Sequence, residues 1–443
     1  MPIKIILLSV WLLAISTSLT GHAAAHTEPL TLAQAIDVAL ENNPQLSIMQ
    51  ARVEQAEQEL SLALANYYPQ INVAIAYQHT THPAEAFALI IAQRRLDFSG
   101  MDFNHPGGID NYRPQLTATY SLYRGGQDSH LAAAAQLAKQ ASALEQDALR
   151  KRLINHITAA YFAQLAASDV HRLSQHAVTA IASELRQTQH YFAAGTVLKS
   201  DVLSLQVHLA EAQDAELHAA HAIEIANTLL KTLLGKAVSD TLIIAENLVL
   251  QNPKAPSALA DLLAKIHTQH PEIQAAEKRI AIAQEHLAAE RGAYLPRADA
   301  YINYGLNSKN TDFDTQRDNV SVGVQVDVDV FNGFATQAKI NKAEHEVAIA
   351  KEQARQLRLQ IESAVNTAQL NLQDALRRAE LAALAVQAAD EALRLVNEQR
   401  QAGVVTVTRY IEAEVARDKA HTRHITAHYD ALRAEAELKQ HVF

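Results

Sequence analysis

Gly125 and Gly195 stand 70 residues apart, and so do Gly333 and Gly403. The first glycine of each pair follows a strand-like run, L-Y-R-G-G-Q (Leu122 to Gln127) or V-F-N-G-F-A (Val330 to Ala335). The second lies in a turn, A-A-G-T (Ala193 to Thr196) or Q-A-G-V (Gln401 to Val404), just before K-S-D-V-L (Lys199 to Leu203) or T-R-Y-I (Thr408 to Ile411). Upstream, Pro44 and Pro69 are 25 residues apart, as are Pro271 and Pro296, and each pair brackets an Ala-rich, Gln/Glu-rich segment. One unit is written twice, so the chain must build two like halves of one object. The copies differ between proline and glycine, with 56 residues in the first and 37 in the second, which places the excess in a loop and leaves the helices to set the architecture. The boundaries read as a leader 1–25, a first repeat 26–235, a linker 236–256 with Pro253 and Pro256 lying across the outside of the helices, and a second repeat 257–443.

The stretches from about Gln127 to Ala193 and from about Ala335 to Gln401 read as single helices, each roughly 100 Å long at ~1.5 Å per residue. In the second, Ile340, Ala343, Val347, Ala350, Ala354, Leu357, Ile361, Ala364 and Ala368 step by threes and fours, a heptad seam with many small residues. Small seam residues admit close neighbours, and the other Ala-rich faces leave room for a second, so each helix suits a stave in a closed ring. Gly195 and Gly403 fit the left-handed position that ends a helix, and Ser200 and Thr408 are candidate caps for the return helices. At the start, Thr31 to Gln34 has capping-box spacing, and the helix it opens breaks at Asn42-Asn43-Pro44 and resumes to Tyr67-Tyr68-Pro69.

After each proline the period changes from helical to alternating. Ile71, Val73, Ile75 and Tyr77 share one face, as do Leu116, Ala118, Tyr120 and Leu122, then Ile302, Tyr304 and Leu306, then Val320 through Val330 in steps of two. The opposite faces are polar and carry Asp299, Asp327 and Asp329. Such strands suit a soluble sheet with one face on a core, or a membrane barrel with the apolar face to lipid. Their length reaches the ~9–11 residues that cross a bilayer at a tilt, and Tyr67, Tyr68, Tyr123, Tyr294 and Phe331 cluster where strands meet helices, as in an interfacial girdle. The joining loops, about Thr80 to Tyr112 and Asn307 to Asn319, face outside; A-F-A-L-I-I-A (Ala86 to Ala92) reads as strand extension or packing into the barrel mouth.

The 443 residues carry a net charge of −10, which argues against a nucleic-acid partner, and contain no cysteine, which excludes disulfides, thiolate metal sites and a lipid anchor on cysteine. Lys4, the apolar run Ile5 to Leu19 and Ala23 to Ala25 form a secretory signal with cleavage expected after Ala25. No later stretch spans a bilayer as a helix, so any crossing falls to strands. Four strands cannot close, and eight from two chains enclose a filled interior, so a conduit needs at least three copies.

The chain resembles the TolC family of outer-membrane factors over its whole mature length. The carriers are L-T-L-A-Q-A with Asn43-Pro44, H-P-E-I (His270 to Ile273), Y-Y-P-Q and Y-L-P-R before strands, L-Y-R-G-G and V-F-N-G-F after them, and the A-G turns. The resemblance implies a fold mainly α with a membrane β-barrel, four strands and long coiled-coil helices per chain, closing as a homotrimeric α/β barrel tunnel. It implies a channel in the Gram-negative outer membrane with a periplasmic helical extension. Its implied partners are a periplasmic adaptor and an inner-membrane efflux pump or type I secretion transporter. The alternatives are a structural or adaptor-like periplasmic coiled coil, which would lack the duplicated strands, and a metal-cation efflux specialist.

Asp299, Asp327 and Asp329 are then lumen residues. Val197, Leu198, Val404 and Val405 are exposed by the turns at Gly195 and Gly403 and are candidate adaptor contacts. The family presents acids six and nine positions past the second turn glycine; here these are Arg409 and Glu412, so the first position departs from the pattern. Asp201, six past Gly195, keeps an acid and is expected to pair with Arg409 or with Arg400, tying helices at the periplasmic constriction. His421, His424 and His428 share a helical face at metal-ligand spacing, with solvated or packed rings the plainer reading. No nucleophile elbow, phosphate loop or zinc-protease motif occurs, no cofactor is expected, and the expectation is a conduit, not an enzyme.

Overall fold

The computed structural model describes residues 29–99, 102, 104–245 and 253–442, so the signal segment 1–25 and part of the linker lie outside the described residues. Two helices of 67 residues dominate, α4 (Gln127–Ala193) and α8 (Ala335–Gln401). Each matches the other in length because each runs from a strand end to a glycine turn. Their return helices are α5 (Lys199–Leu233) and α9 (Val407–Val442).

Two shorter helices, α2 (Pro44–Ala65) and α7 (Pro271–Gly292), precede the strands, and each has proline in its first turn, where the missing N–H is no loss. The end of α5 meets the start of α2: Asn43 caps α2 and donates from Nδ2 to the Leu233 carbonyl at 2.8 Å. In the second copy α9 ends against α7, with Ile273, Leu438 and Val442 in one core. Each half is therefore one continuous stave beside one stave made of two helices stacked end to end. α4 packs against α2 and α5 on one flank and α7 and α9 on the other, and α8 packs against α7 and α9. The order across the protein is α2/α5, α4, α7/α9, α8.

The seam on α8 is filled in part as the spacing predicts, with Ile340, Ala343, Val347, Ile361 and Ala368 buried, Ala350, Ala354, Leu357 and Ala364 half-buried, and Val365, Leu372, Ala375, Ala382 and Val396 adding to it. Near mid-length, two amphipathic helices, α1 (Leu32–Asn42) and α6 (Leu259–Gln269), lay Ala35 and Ala39, and Leu262 and Ile266, onto the staves. The Thr31 capping box forms as expected. The described first part of the linker lies on the helices: Ile244 pairs with Leu30 in a parallel bridge, and fully buried Tyr161 of α4 donates to the carbonyls of Leu30 (3.0 Å) and Ala245 (3.1 Å).

The strands β1 (Gln70–Thr80), β2 (Ile109–Arg124), β3 (Arg297–Leu306) and β4 (Asp318–Asp327) form one antiparallel sheet in that order. A bulge between Ser121 and Tyr123 shifts the register of β2 against β3, so that Tyr123 pairs with Ala298. β4 also ends at Asp327, short of Val330, and Asp329 lies in the connection to α8. Ala86 to Ala92 is not a strand extension: it belongs to a helix, α3 (Pro83–Ala92), started by Pro83. The caps differ from expectation too. At α5 it is Asp201, not Ser200, that accepts from the Leu198 N–H (3.2 Å), and at α9 Thr406, not Thr408, accepts from the Arg409 N–H (3.3 Å).

Where strands meet helices, Gly125 and Gly126 both have positive φ, 65° and 78°. A Cβ on Gly125 would run into the Gly292 carbonyl, whereas one on Gly126 has only ordinary contacts with His130 and Ser129. Gly126→Ala should cost the left-handed backbone term, ~1–2 kcal/mol, and Gly125→Ala a further ~1–3 kcal/mol of overpacking. Thermal unfolding of the two variants in detergent should rank them in that order.

Candidate functional site

Two regions gather functional side chains: the polar face of the sheet and the tip of the bundle farthest from it. On the sheet, the apolar face is open. Ile71, Val73, Ile75, Val322, Val324 and Val326 are all more than three-fifths exposed, the reverse of a soluble protein's sheet. On the other face, Asn303 Oδ1 accepts from Gln115 (3.0 Å) and Thr117 (2.7 Å), and Asp299 and Asp327 line a cavity with Arg124, Thr119 and Gln325. Alternation with period two makes these two faces unavoidable. No described helix is long and apolar enough to cross a membrane, and the sheet presents an open apolar face.

At the tip, both long helices close with the same motif. The Thr196 N–H donates to the Tyr191 carbonyl (3.0 Å) and the Val404 N–H to the Gln399 carbonyl (2.9 Å), with Gly195 and Gly403 at φ 77° and 72°. Leu198 and Val404 are exposed, at 69% and 74%, while Val197 and Val405 are half-buried against the turns.

The expected pairing of Asp201 with Arg409 or Arg400 does not form. Asp201 is committed to its own helix start, and Arg409 Nη1 donates to Glu412 one turn on (3.1 Å), both exposed. Arg400 instead turns inward to Glu184 of α4, donating through both Nη atoms, one at 2.6 Å, with each side chain largely buried. Tyr410 of α9 covers the guanidinium, 4.6 Å from its ring centroid, and Thr188 donates to Glu184 at 3.1 Å. Three helices are thus clamped around one ion pair.

A chain of charges continues up α9. Glu414 is buried, and burial, then Asp418, push its carboxyl above the ordinary range against the pull of Arg417. Burial likewise raises Asp418, and burial with the Glu414 charge pushes the Tyr410 hydroxyl up to about 12. Arg417 bridges to Asp390 of α8 (3.2 Å) and Asp418 (3.1 Å).

His421 also turns to Asp390 (2.9 Å), His428 packs edge-on to Tyr429, and His424 Nδ1 is buried without a hydrogen-bond partner. Among the described residues no three such groups are placed to share an ion.

Sequence reasoning missed Glu184, Tyr410 and Glu414. The signal was present: Glu184 interrupts an apolar seam between Ile181 and Leu185, and Glu414 sits between Ile411 and Val415. The duplication sharpens it, because with the turn glycines aligned Glu184 matches Ala392 and Arg400 matches Phe192. The pair exists only across the two halves.

An open sheet with an apolar outer face and a polar inner one, extended by parallel staves, is the fold of a membrane channel chain with a helical tunnel. The chain belongs to the outer membrane efflux protein family, whose model matches residues 35–236 and 262–442. It serves as an outer-membrane channel for efflux or secretion. It is 26% identical to protein CyaE of Bordetella pertussis over 358 residues, covering 80% of this chain and 71% of that one. With outer membrane protein TolC of Vibrio cholerae it shares 22% identity over 417 residues, 92% of this chain and 90% of that one. A membrane protein from Pseudomonas aeruginosa has the same fold, with a TM-score of 0.80 at 21% identity over 93% of both chains. So has the open state of the Neisseria gonorrhoeae MtrE outer membrane channel, at 0.76 and 19% over 93% of this chain and 88% of that one.

Removing one partner of the tip pair leaves a buried charge, so Arg400→Ala should destabilise by ~3–5 kcal/mol, and the Glu184→Ala, Arg400→Ala double variant by less than the sum. A double-mutant cycle on detergent-solubilised protein measures this. Glu414 and Asp418 bind protons more readily folded than unfolded. The stability they contribute is therefore full below the ordinary carboxylate range and is lost as pH rises through their raised values. Glu414→Gln should raise the melting temperature at neutral pH and flatten its decline from acid to neutral.

Proposed function

We propose that three copies assemble side by side into a homotrimer whose strands close a barrel in the outer membrane and whose staves form a tunnel through the periplasm. One observation carries this reading: both layers stop unfinished on the same two flanks. The sheet ends at β1 and β4 with unpaired edges. The helical layer ends at α2/α5 and α8, where a second apolar stripe, Leu359, Leu370, Leu381 and Leu384 on α8 and Val207, Ile225 and Leu229 on α5, lies roughly opposite the packed seam. A single neighbour relation supplies both layers, and three copies are the fewest that leave a bore.

The conduit is passive and carries no chemistry of its own. Its far tip, with Leu198 and Val404 bare, is the surface for a periplasmic adaptor, which couples it to an inner-membrane pump or secretion transporter that selects the cargo. The Glu184–Arg400 clamp with Tyr410 holds the tip in one conformation until the adaptor engages.

Detergent extracts should contain a trimer that collapses to monomer only on heating; a water-soluble monomer would overturn the assembly. Val404→Asp and Leu198→Asp should keep the trimer and lose export of a reporter substrate, and unimpaired export in both would rule out docking at the turns.

A further inference from the structure

The loop that makes the first copy longer than the second does not stay clear of the sheet. Gln78 and Thr80 belong to the polar row of β1, and both donate to Glu85 of α3, at 3.4 and 2.8 Å. Past the other end of the helix, Gln93 is fully buried and donates to the Asp110 carbonyl (2.7 Å) and to Asn111 Oδ1 (3.0 Å). Asn111 in turn donates to Asn307 at 2.9 Å. Asn111 lies opposite Gln78 in the polar row of β2, and Asn307 continues that of β3. Arg94, in the left-handed region at φ 51°, then turns the chain and donates to the carbonyl of Asp318, where β4 begins, at 3.0 Å.

The segment therefore starts on β1 and is tied down at β4. The helix lies over β1 and β2 at the end of the polar face remote from the staves, and the Arg94 side chain past its end reaches on to β4. Ala86, Ile90 and Gln93 are buried beneath it, Ala88 and Ile91 are exposed, and Arg95 donates back to Gln93 Oε1 at 3.0 Å.

We propose that α3 forms a second constriction, at the exit of the channel, which sets the size of solute that can leave. This rests on the three-copy channel proposed above, in which the polar faces line the bore. Each wall then carries one such helix at the same height, because all three are anchored to the same strand ends, and a helix with its side chains is ~10 Å thick. The Gln93, Asn111 and Asn307 side chains form a buried relay, so the helix is a fitted part of the wall.

The chain has no cysteine, so Ser321→Cys, on the polar face of β4 inward of α3, gives a single reporter thiol. In whole cells a small maleimide should label it freely, and a maleimide carrying a long polyethylene glycol chain at least about tenfold more slowly, as a bore-limited reaction requires. Replacing residues 83–95 by a short Gly/Ser linker should bring the two rates together, and Gln93→Ala should narrow the gap even if the replacement does not assemble. Equal rates in the parent channel would overturn the filter, as would exclusion undiminished in both variants. Trimer bands run on the same samples separate these results from a failure to assemble, which would instead strike the three-copy reading.

Discussion

Hydrocarbon offers no partner to a backbone N–H or C=O, and that single constraint governs this protein. Its sheet leaves the outer edges of β1 and β4 unpaired while exposing rows of valine and isoleucine beside them. A chain in this condition is folded but incomplete. The helices repeat the arrangement, since α8 and α2/α5 keep apolar stripes on the flanks that lie below those edges. Completing the sheet completes the helical wall, so one docking geometry resolves both deficits.

The duplicated sequence supplies that wall economically and then departs from its own symmetry where function gathers. Length is held, with 67 residues in each long helix, and so is the closing turn. At the tip the copies diverge: with the turn glycines aligned, Tyr410, Glu414 and Asp418 of α9 correspond to Val202, Gln206 and Ala210 of α5. Leu205 of α5 and Ile411 of α9 share one apolar core, and α9 alone adds the carboxyls of Glu414 and Asp418 beside it. Buried ionic contacts add little net stability but penalise every arrangement that separates them. They therefore suit a part that must hold one arrangement against others.

Much of this was legible in the residues. The long helices, the turn glycines and the alternating strands follow from periods and breakers, which are local and survive any packing. The partners of Arg400 were not legible in the same way, because Glu184 is 216 residues away and several acids compete for one guanidinium. Burial decided it: Asp201 was needed by its own helix start, and Glu184 lay in the seam where the Arg400 side chain could bury against it. α3 escaped for a related reason. Its apolar run is short enough to read as strand, and what makes it helical is Pro83 at its start together with the polar wall it lies on.

The breaks at Asn43-Pro44 and His270-Pro271 give the wall a mechanical grain. Every second stave is jointed, while α4 and α8 run through unbroken. Below the joints, α5 and α9 are helices separate from α2 and α7, which run on into the strands. The two joints are unequal. Asn43 is stitched to the helix beneath it by the bond to Leu233, whereas His270 bonds forward to its own Glu272 N–H and faces a cavity shared with Gln440 and His441. The first joint is thus held by a hydrogen bond to a backbone carbonyl and the second by apolar packing of Ile273 against Leu438 and Val442, so load passes from tip to strands through different interactions in alternate staves.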